Sequence, residues 1–237
     1  MLKVDLHIHS NFSLCGIHSV LEILTEARKK KLKAIAITDH GPSTGAKTPS
    51  TFFDRLKDPV KGITLLKGIE ANPVGTSGMI DLPFHNIKYM DVILVGFHYN
   101  LPKRDMKTNT EILLKIMKKN PFVDIIAHPC NDGYKLDLLK ICETAVKYGM
   151  AVELNNSKFL YERQTLSDFK YIIECCKKTE CNVVISSDAH AIQEIGDDSK
   201  IREFLKIVSL PYRLIVNRTL DSTMQFIKKR KKYKKEV

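Results

Sequence analysis

The strongest constraint on the fold of this 237-residue chain is a series of seven short apolar segments, most of them separated by segments with helical periodicity. The seven segments are rich in valine and isoleucine and read LKVDLHI, KAIAIT, GITLLKGIE, DVILVGF, VDIIAHP, MAVELNN and NVVISSD. Short apolar runs of this kind are typical of strands that are buried on both faces. Because parallel strands need crossover connections, the alternation predicts βαβ units and a parallel sheet.

Four of the intervening segments have apolar residues at helical spacing, at 18–32, 108–120, 135–149 and 168–180. Ser19 ahead of Glu22 is a candidate N-cap for the first of them, and Gly149 is a stop signal for the third. The segments 41–59 and 71–88 are rich in polar, glycine and proline residues and are expected to be long loops.

Polar residues follow the strands, and seven βα units with this pattern favour a closed α/β barrel over an open sheet. In such barrels the active site lies at the carboxyl ends of the strands, where residues distant in sequence converge. The length of 237 residues would also accommodate two smaller domains, but no shift in composition marks a boundary. We therefore expect a single barrel domain over residues 1–226, followed by a basic tail at 227–237.

Six of the eight histidines lie where an apolar segment ends. They are His7, His9, His40, His98, His128 and His190, and the carboxylates of Glu70 and Asp188 lie at equivalent positions. Because side chains alternate along a strand, those two residues apart, such as His7 and His9, point the same way and can bind one ion. Imidazole and carboxylate ligands suit zinc, manganese or iron. Eight ligands exceed the needs of one tetrahedral ion, so the sequence predicts two or three ions with Glu70 as a bridge. His18 and His85 lie away from the strand ends and are assigned structural roles.

Composition excludes several classes of protein. No apolar stretch reaches 18 residues, and the N-terminus MLKVDLHIHS lacks the pattern of a signal peptide, so we expect a cytoplasmic protein without a membrane span. The six cysteines show no CxxC pair and predict no disulfide framework. Cys142, Cys175 and Cys176 are expected to be buried in helices, whereas Cys15 and Cys130 lie close to candidate ligands.

The formal net charge of +11 is concentrated at the C-terminus, where IKKRKKYKKEV carries seven Lys and Arg and one Glu. The favoured interpretation is a solvated, fraying helix end, and attraction to nucleic acid or an anionic surface is the alternative.

The ordered segments DLHIHS, TDHG, GIEAN, GFH, AHP, ELNNS and SDAH, between residues 4 and 190, resemble the motifs of the PHP (polymerase and histidinol phosphatase) family. TNTE, LNNSKFL and SDAH are most similar to the small stand-alone YcdX-like phosphatases of that family. The resemblance implies a distorted (β/α)7 TIM-like barrel with a trinuclear metal centre, usually of zinc, and phosphoric ester hydrolase activity.

Carried over residue by residue, the resemblance assigns His7, His9, Glu70 and Asp188 to the first ion. It assigns Glu70, His98 and His128 to the second, and His40 and His190 to the third. The family pattern has a further histidine where this chain has Cys15. A Cys15 thiolate is the favoured replacement because zinc accepts thiolate well, and His18 or a partly water-filled site are the alternatives.

The expected reaction is attack on phosphorus by a hydroxide that bridges two ions. Asp5 is expected to orient a ligand histidine through its free ring nitrogen, and Arg163 to bind the phosphate. Asn155 and Asn156 are candidates for orienting ligands or for a structural turn. The loops 41–59 and 71–88 are expected to form the rim that selects the leaving group.

Three functions follow from this pattern. The favoured one is a phosphatase acting on a small phosphorylated molecule, with histidinol phosphate as one candidate substrate. The second is a phosphodiesterase or nuclease, which the basic tail mildly favours. Against it, the chain lacks a surface of aromatic and basic residues that would bind single-stranded nucleic acid. The third is a non-enzymatic module stabilised by metal, which the intact ligand set disfavours. The sequence makes no prediction of oligomeric state.

Overall fold

Each of the seven apolar segments forms a strand in the computed structural model, which describes residues 2–131 and 133–235. The strands are β1 (Val4–Ile8), β2 (Ala34–Ile37), β3 (Thr64–Ala71), β4 (Pro73–Val74), β5 (Met79–Ile80), β6 (Val92–Val95), β7 (Ile125–Ile126), β8 (Ala151–Asn155) and β9 (Asn182–Ser186). Strands β4 and β5 form a small antiparallel hairpin within the expected 71–88 loop. The other seven pair in parallel in the order β1-β2-β3-β6-β7-β8-β9.

The first and last strands of this sheet meet and nearly close it into a barrel. Ile8 at the end of β1 pairs in parallel with Ala189 beyond β9, and the backbone N–H of His9 donates to the carbonyl of Ala189 at 2.9 Å. The predicted seven-stranded α/β barrel is therefore confirmed.

The helices between the strands are α1 (Val20–Lys29), α2 (Ser50–Asp54), α3 (Met106–Lys119), α4 (Leu138–Tyr148), α5 (Asn156–Leu160), α6 (Leu166–Thr179), α7 (Ser199–Leu205), α8 (Leu220–Arg230) and α9 (Lys232–Lys235). Short 3-10 helices span Pro42–Thr44, Phe84–Tyr89, Ile192–Glu194, Tyr212–Leu214 and Val216–Arg218. Ser19 and Glu22 form the expected capping box of α1, and Gly149 ends α4 in the left-handed region at a φ of 68°. Among residues 2–131 and 133–235, every helix is too short or too polar to span a membrane.

The expected 41–59 loop contains the short helix α2, which the sequence analysis missed. Phe52 and Phe53 in this helix are 4% and 1% exposed and join the core. Five residues are too few for a clear helical period, and polar neighbours on both sides concealed the aromatic pair.

The C-terminal segment packs against the barrel instead of extending into solvent. Val216, Phe226 and Ile227 share an apolar cluster with strand residues such as Ala34 and Val92. Helix α8 runs through residue 227 without a break, so the expected boundary between barrel and tail falls inside a helix.

The expectation of a solvated basic tail is wrong for two of its residues. Arg230 and Lys234 are each 2% exposed, and both bind the buried carboxylate of Asp124, with Nε to Oδ1 at 3.1 Å and Nζ to Oδ2 at 2.5 Å. A lysine-rich stretch therefore contributes buried ion pairs that its composition did not reveal.

Candidate metal centre

The carboxyl ends of the strands bring the eight predicted histidine and carboxylate ligands into one cluster. His7 in β1 and Glu70 in β3 are each the next-to-last residue of their strand. The other six follow the ends of β1, β2, β6, β7 and β9: they are His9, His40, His98, His128, Asp188 and His190. Three overlapping groups of side chains in this cluster have ligand atoms close enough to share a metal ion.

The first group contains His7, His9 and Asp188, with Glu70 beside it. Nε2 of His7 lies 3.1 Å from Nε2 of His9, 3.4 Å from Asp188 Oδ1 and 3.3 Å from Glu70 Oε2. Nε2 of His9 lies 3.3 Å from Asp188 Oδ1 and 3.5 Å from Glu70 Oε2. Ligands about 2.0 to 2.1 Å from a tetrahedral ion lie about 3.3 to 3.4 Å from one another. The two imidazole nitrogens therefore lie at ligand spacing from each other and from one oxygen each of Asp188 and Glu70.

Glu70 joins this group to a second one through its other oxygen. Nε2 of His128 lies 2.8 Å and Nε2 of His98 lies 3.0 Å from Glu70 Oε1. His40 places Nδ1 3.0 Å from Glu70 Oε2. One carboxylate thus faces five imidazoles, which is the arrangement expected of a bridging ligand.

The third group contains His9, His40, His190 and Cys15. Cys15 is exposed, whereas His9 and His40 are buried, so the thiol closes the group on its solvent side. His18, the other candidate for this position, belongs to none of the ligand groups found among the described residues. The ligand atoms of these four residues lie within 4.8 Å of one another, so Cys15 stays the candidate for this position.

Several ligand histidines use their second ring nitrogen to bind a fixed acceptor. Nδ1 of His7 lies 2.7 Å from Glu153 Oε1, Nδ1 of His98 lies 2.5 Å from Asn72 Oδ1, and Nδ1 of His190 lies 2.9 Å from the carbonyl of Asp188. Such contacts fix the ring orientation and leave Nε2 available for a metal.

Glu153 is a supporting residue that the sequence analysis missed. It is 2% exposed, receives the backbone N–H of His128 at 2.7 Å on Oε2, and is also bound by Ser186 and Asn155. Burial raises the pKa of its carboxyl, but the neighbouring His7 outweighs burial and the pKa lies below its ordinary value. Its place in the middle of β8, within the ELNNS segment, was the available signal.

The expected role of Asp5 is wrong in its contacts. Its carboxylate binds the hydroxyl of Ser187 at 2.5 Å and the backbone N–H of Gly196 at 2.9 Å, and it contacts no histidine ring nitrogen among the described residues. Asp5 therefore holds the loop after β9 that carries Asp188. The contact to a histidine ring nitrogen that was expected of Asp5 is made by Glu153, which binds Nδ1 of His7. Burial raises the pKa of Asp5 to about 6.

Lys158 is a second residue that the sequence analysis missed. It lies in α5, directly after β8, is 8% exposed, and places Nζ 2.5 Å from Oδ2 of Asp188. Asn155 donates to the same oxygen at 3.1 Å, and its Oδ1 caps α5 by accepting the backbone N–H of Lys158 at 3.1 Å. Asn156 instead binds Asp197 and the first turn of α7.

The two central carboxylates are held in their ionised form. Burial raises the pKa of Glu70, but the surrounding imidazoles, His98 and His7 foremost, bring it well below the ordinary range. Burial likewise raises the pKa of Asp188, and Lys158 and His7 bring it well below the ordinary range. Ionised carboxylates are the form that binds metal ions.

Local backbone geometry also serves the cluster. His128 and Asp188 have φ angles of 31° and 55°, in a region that residues other than glycine rarely adopt. At Gly96, a Cβ atom would lie 2.6 Å from Cε1 of His128, so only glycine lets this imidazole approach β6.

The donor set fits metal ions better than a hydrogen-bonded cluster. Nδ1 of His40, Nδ1 of His128 and Oε2 of Glu70 are buried without a hydrogen-bond partner in the described residues. Buried polar atoms are nearly always satisfied. Oε2 of Glu70 lies 3.3 Å from Nε2 of His7 and 3.0 Å from Nδ1 of His40 without hydrogen-bond geometry, so a cation between these atoms would fit the donor set.

The cluster opens into a cavity of about 370 Å³. Lys158, Arg163, Tyr99 and Tyr161 line this cavity together with the ligand residues. The predicted phosphate contact, Arg163, also lines a neighbouring cavity of about 390 Å³, so it lies between the two. An anion bound at the cluster would meet cationic side chains from the segment after β8.

The chain is similar to known proteins along most of its length. Residues 5–202 match the family described as PHP domain. A probable phosphatase of Caldanaerobacter subterraneus subsp. tengcongensis is 33% identical over 98% of this chain and 93% of its own length. A probable phosphatase of Syntrophotalea carbinolica is 34% identical over 95% of each chain.

A solved structure supports the fold. The histidinol phosphate phosphatase of Lactococcus lactis, determined with zinc, L-histidinol and phosphate, superposes with a TM-score of 0.66 at 16% identity. The match covers 88% of this chain and 94% of that one. At this identity the likeness establishes the shared barrel.

Proposed function

The chain belongs to the PHP domain family, and we propose that it is a metal-dependent phosphatase that hydrolyses a phosphomonoester of a small molecule. The observation that carries the proposal is the position of Nε2 of His7 and of His9, which lie 3.1 Å apart and 3.3 to 3.5 Å from oxygens of Glu70 and Asp188, the spacing of ligands that share a metal ion. The cavity beside this set has cationic side chains on its wall. Metal ligands next to cationic anion contacts suit phosphoryl chemistry.

In this proposal the first ion is held by His7, His9, Glu70 and Asp188. The second is held by Glu70, His98 and His128, and the third by His40, Cys15 and His190. Zinc is the expected ion because nitrogen, oxygen and thiolate ligands all suit it, and manganese and iron(II) are the alternatives. When bound, the ions supply an activated water as nucleophile and neutralise charge on the phosphoryl group.

The residues of the chain position the substrate. Lys158 and Arg163 lie on the same segment after β8 and can both donate hydrogen bonds to phosphoryl oxygens. Asp188 uses Oδ2 to hold Lys158, which leaves Oδ1 toward the histidines. Tyr99 and Tyr161 are 83% and 55% exposed at the mouth of the cavity, where a leaving group would lie.

The position of the basic tail does not favour a nuclease. Helices α8 and α9 pack near Gly149 and Asn182, which lie at the amino-terminal ends of β8 and β9. The candidate metal centre lies at the opposite ends of the same strands. A nucleic acid bound to the tail would therefore be held away from the proposed catalytic residues.

The test is an assay of purified protein loaded with zinc or manganese. We expect hydrolysis of p-nitrophenyl phosphate well above that of bis-p-nitrophenyl phosphate and of a labelled oligonucleotide. Glu70→Gln should lower monoester turnover at least 1,000-fold, in the range of losses seen on removing central catalytic groups. Glu111→Gln, at an exposed position of α3, is the matched control and should retain full activity. Oligonucleotide cleavage without monoester turnover would refute the proposal.

A further inference from the structure

A second cavity, of about 590 Å³, lies at the end of the barrel opposite the metal centre. Gly149 and Asn182, at the starts of β8 and β9, form one side of it, and residues 213–218 and helices α8 and α9 form the other. Because β8 and β9 each contain five residues, the strands separate the two sites by about 17 Å. The cavity is therefore distinct from the catalytic one.

The charge of this cavity is all of one sign. None of the residues that line it is acidic. Six of them are basic: Arg213, Arg218, Lys228, Lys229, Arg230 and Lys232. Glu180 pairs with Arg213 at 2.5 Å, and Asp124 pairs with Arg230 at 3.1 Å. Within residues 2–131 and 133–235, the other four have no carboxylate partner.

Two of the arginines that line the cavity are held by hydrogen bonds. Arg230 donates to the carbonyls of Tyr148 and Val123 and binds Asp124, which fixes the end of α8 against the barrel. Arg218 donates from Nη1 to the carbonyl of Ile215 at 2.9 Å, which holds its guanidinium in place. Cations held in place lose little conformational entropy when they bind an anion.

The two aromatic residues of the cavity are already in contact with other side chains or buried. The ring of Tyr233 is covered by Cζ of Arg230 at 4.6 Å and by Nζ of Lys232 at 4.7 Å, and Phe226 is 8% exposed. Single-stranded nucleic acids bind proteins through stacking on aromatic side chains as well as through their phosphates. Recognition here rests on charge, which favours a small, phosphate-dense ligand over a nucleic acid strand.

We propose that this cavity binds a small anion with two or more adjacent phosphate groups, through Arg218, Lys228, Lys229 and Lys232. Its volume lies within the usual range of small-molecule sites, about 300 to 1,000 Å³. Several cations around one space gain most from a ligand that carries several negative charges at close spacing. The site is independent of the phosphatase reaction proposed above.

The test is calorimetric titration of the zinc-loaded protein with α,β-methylene-ADP, whose terminal group a phosphatase cannot release. We expect binding that weakens at least tenfold in the double variant Lys228→Gln/Lys229→Gln, and weakens further with rising salt. Lys177→Gln/Lys178→Gln, exposed at the end of α6, is the matched control and should bind as the unaltered protein does. Adenosine, which lacks phosphate, should not bind.

Because both lysines are exposed on α8, their replacement should leave the melting temperature unchanged, which separates lost binding from lost folding. Absence of binding, or equal binding by the two double variants, would overturn the proposal, since the ligand would then occupy the metal centre or no site. Tighter binding of a single-stranded oligonucleotide than of α,β-methylene-ADP, lost in the same variant, would also overturn it in favour of a nucleic acid surface. Phosphatase activity is not a readout of this test, so the two proposals fail separately.

Discussion

Nζ of Lys158 lies 2.5 Å from Oδ2 of Asp188, while Oδ1 of the same carboxylate faces Nε2 of His7 and His9 at 3.4 and 3.3 Å. The two oxygens of Asp188 therefore face different partners: Oδ2 faces a lysine and Oδ1 faces two imidazoles. Burial lowers the pKa of Lys158, but Asp188 outweighs burial and the pKa lies above its ordinary value, so the side chain carries a positive charge next to the cavity. That charge can bind a phosphoryl oxygen.

Replacing Lys158 by methionine should lower kcat/KM for p-nitrophenyl phosphate by about 10- to 100-fold, because a hydrogen bond to a charged group contributes about 1.5 to 3 kcal/mol. Inhibition by orthophosphate should weaken by a similar factor. Lys170→Met, at an exposed position of α6, is the control and should change neither quantity. If turnover fell while phosphate inhibition and metal content stayed constant, Lys158 would act only through Asp188.

Cys15 should be a metal ligand. We expect metal analysis to find three ions in the unaltered protein and two in Cys15→Ser, whereas Cys15→His and His18→Ala should both keep three. Loss of an ion from His18→Ala and not from Cys15→Ser would reverse the assignment. Cobalt substitution gives a second readout, since a cobalt–thiolate band should be present in the unaltered protein and absent in Cys15→Ser.

The thiol of Cys15 should also be reactive when metal is removed. Burial raises its pKa, but hydrogen bonds with His190 and His40 outweigh burial and bring the pKa to about 6. Alkylation by iodoacetamide should therefore rise with pH to a midpoint near that value and be blocked by zinc. Cys130 is the internal control, because burial raises the pKa of its thiol well above the ordinary range and should keep it unreactive.

Glu153 should act on metal affinity through His7. The change Glu153→Gln keeps the shape of the side chain but removes the charge that orients the imidazole, and such supporting groups are worth about 10- to 100-fold in metal affinity. Competition with a zinc chelator would measure the loss. Glu143→Gln, exposed on α4, should bind zinc with the affinity of the unaltered protein, and an equal affinity in Glu153→Gln would contradict the assigned role.

The sequence predicted the barrel and the clustering of the main candidate ligands because both follow from short-range patterns. Apolar segments followed by histidine or carboxylate mark strand ends, and a barrel necessarily brings strand ends together. This was sufficient for His7, His9, His40, Glu70, His98, His128, Asp188 and His190 to be found where the structure places them.

The supporting residues could not be predicted in this way, because their roles depend on distances across the barrel. Glu153 and Asp5 are both buried acids in strands, and only the tertiary structure shows that Glu153 reaches His7 while Asp5 reaches Ser187. Lys158 looks like a surface lysine in sequence. Its burial beside Asp188 follows from a turn of helix placed directly after β8.

Asp5 should make the stability of the protein depend on pH. Burial raises its folded-state pKa to about 6 from an ordinary value of 3.8, so its protonated form is the more stable one in the fold. The contribution is fully present below pH 3.8 and is lost as the pH rises through about 6, by about 3 kcal/mol in all. Urea unfolding of the metal-free protein at several pH values should show this loss in the unaltered protein relative to Asp5→Asn. A difference that stayed constant or rose with pH would contradict the shift.

Arg230 should be essential to the stability of the barrel although it lies in a lysine-rich tail. It binds Asp124, which is 1% exposed and whose Oδ2 also accepts the backbone N–H of Ile93 at 2.8 Å. Breaking a buried ion pair outright costs about 3 to 5 kcal/mol. Because Lys234 would still bind Asp124, we expect the lower end of that range, about 3 kcal/mol, for the loss of Arg230. Arg230→Met should lower the free energy of unfolding by about that amount, as measured by urea denaturation. Its exposed neighbour provides the control, since Lys229→Met should change the free energy by no more than about 0.5 kcal/mol. Equal effects of the two changes would show that the tail is solvated after all and that the pairing with Asp124 contributes nothing to folding.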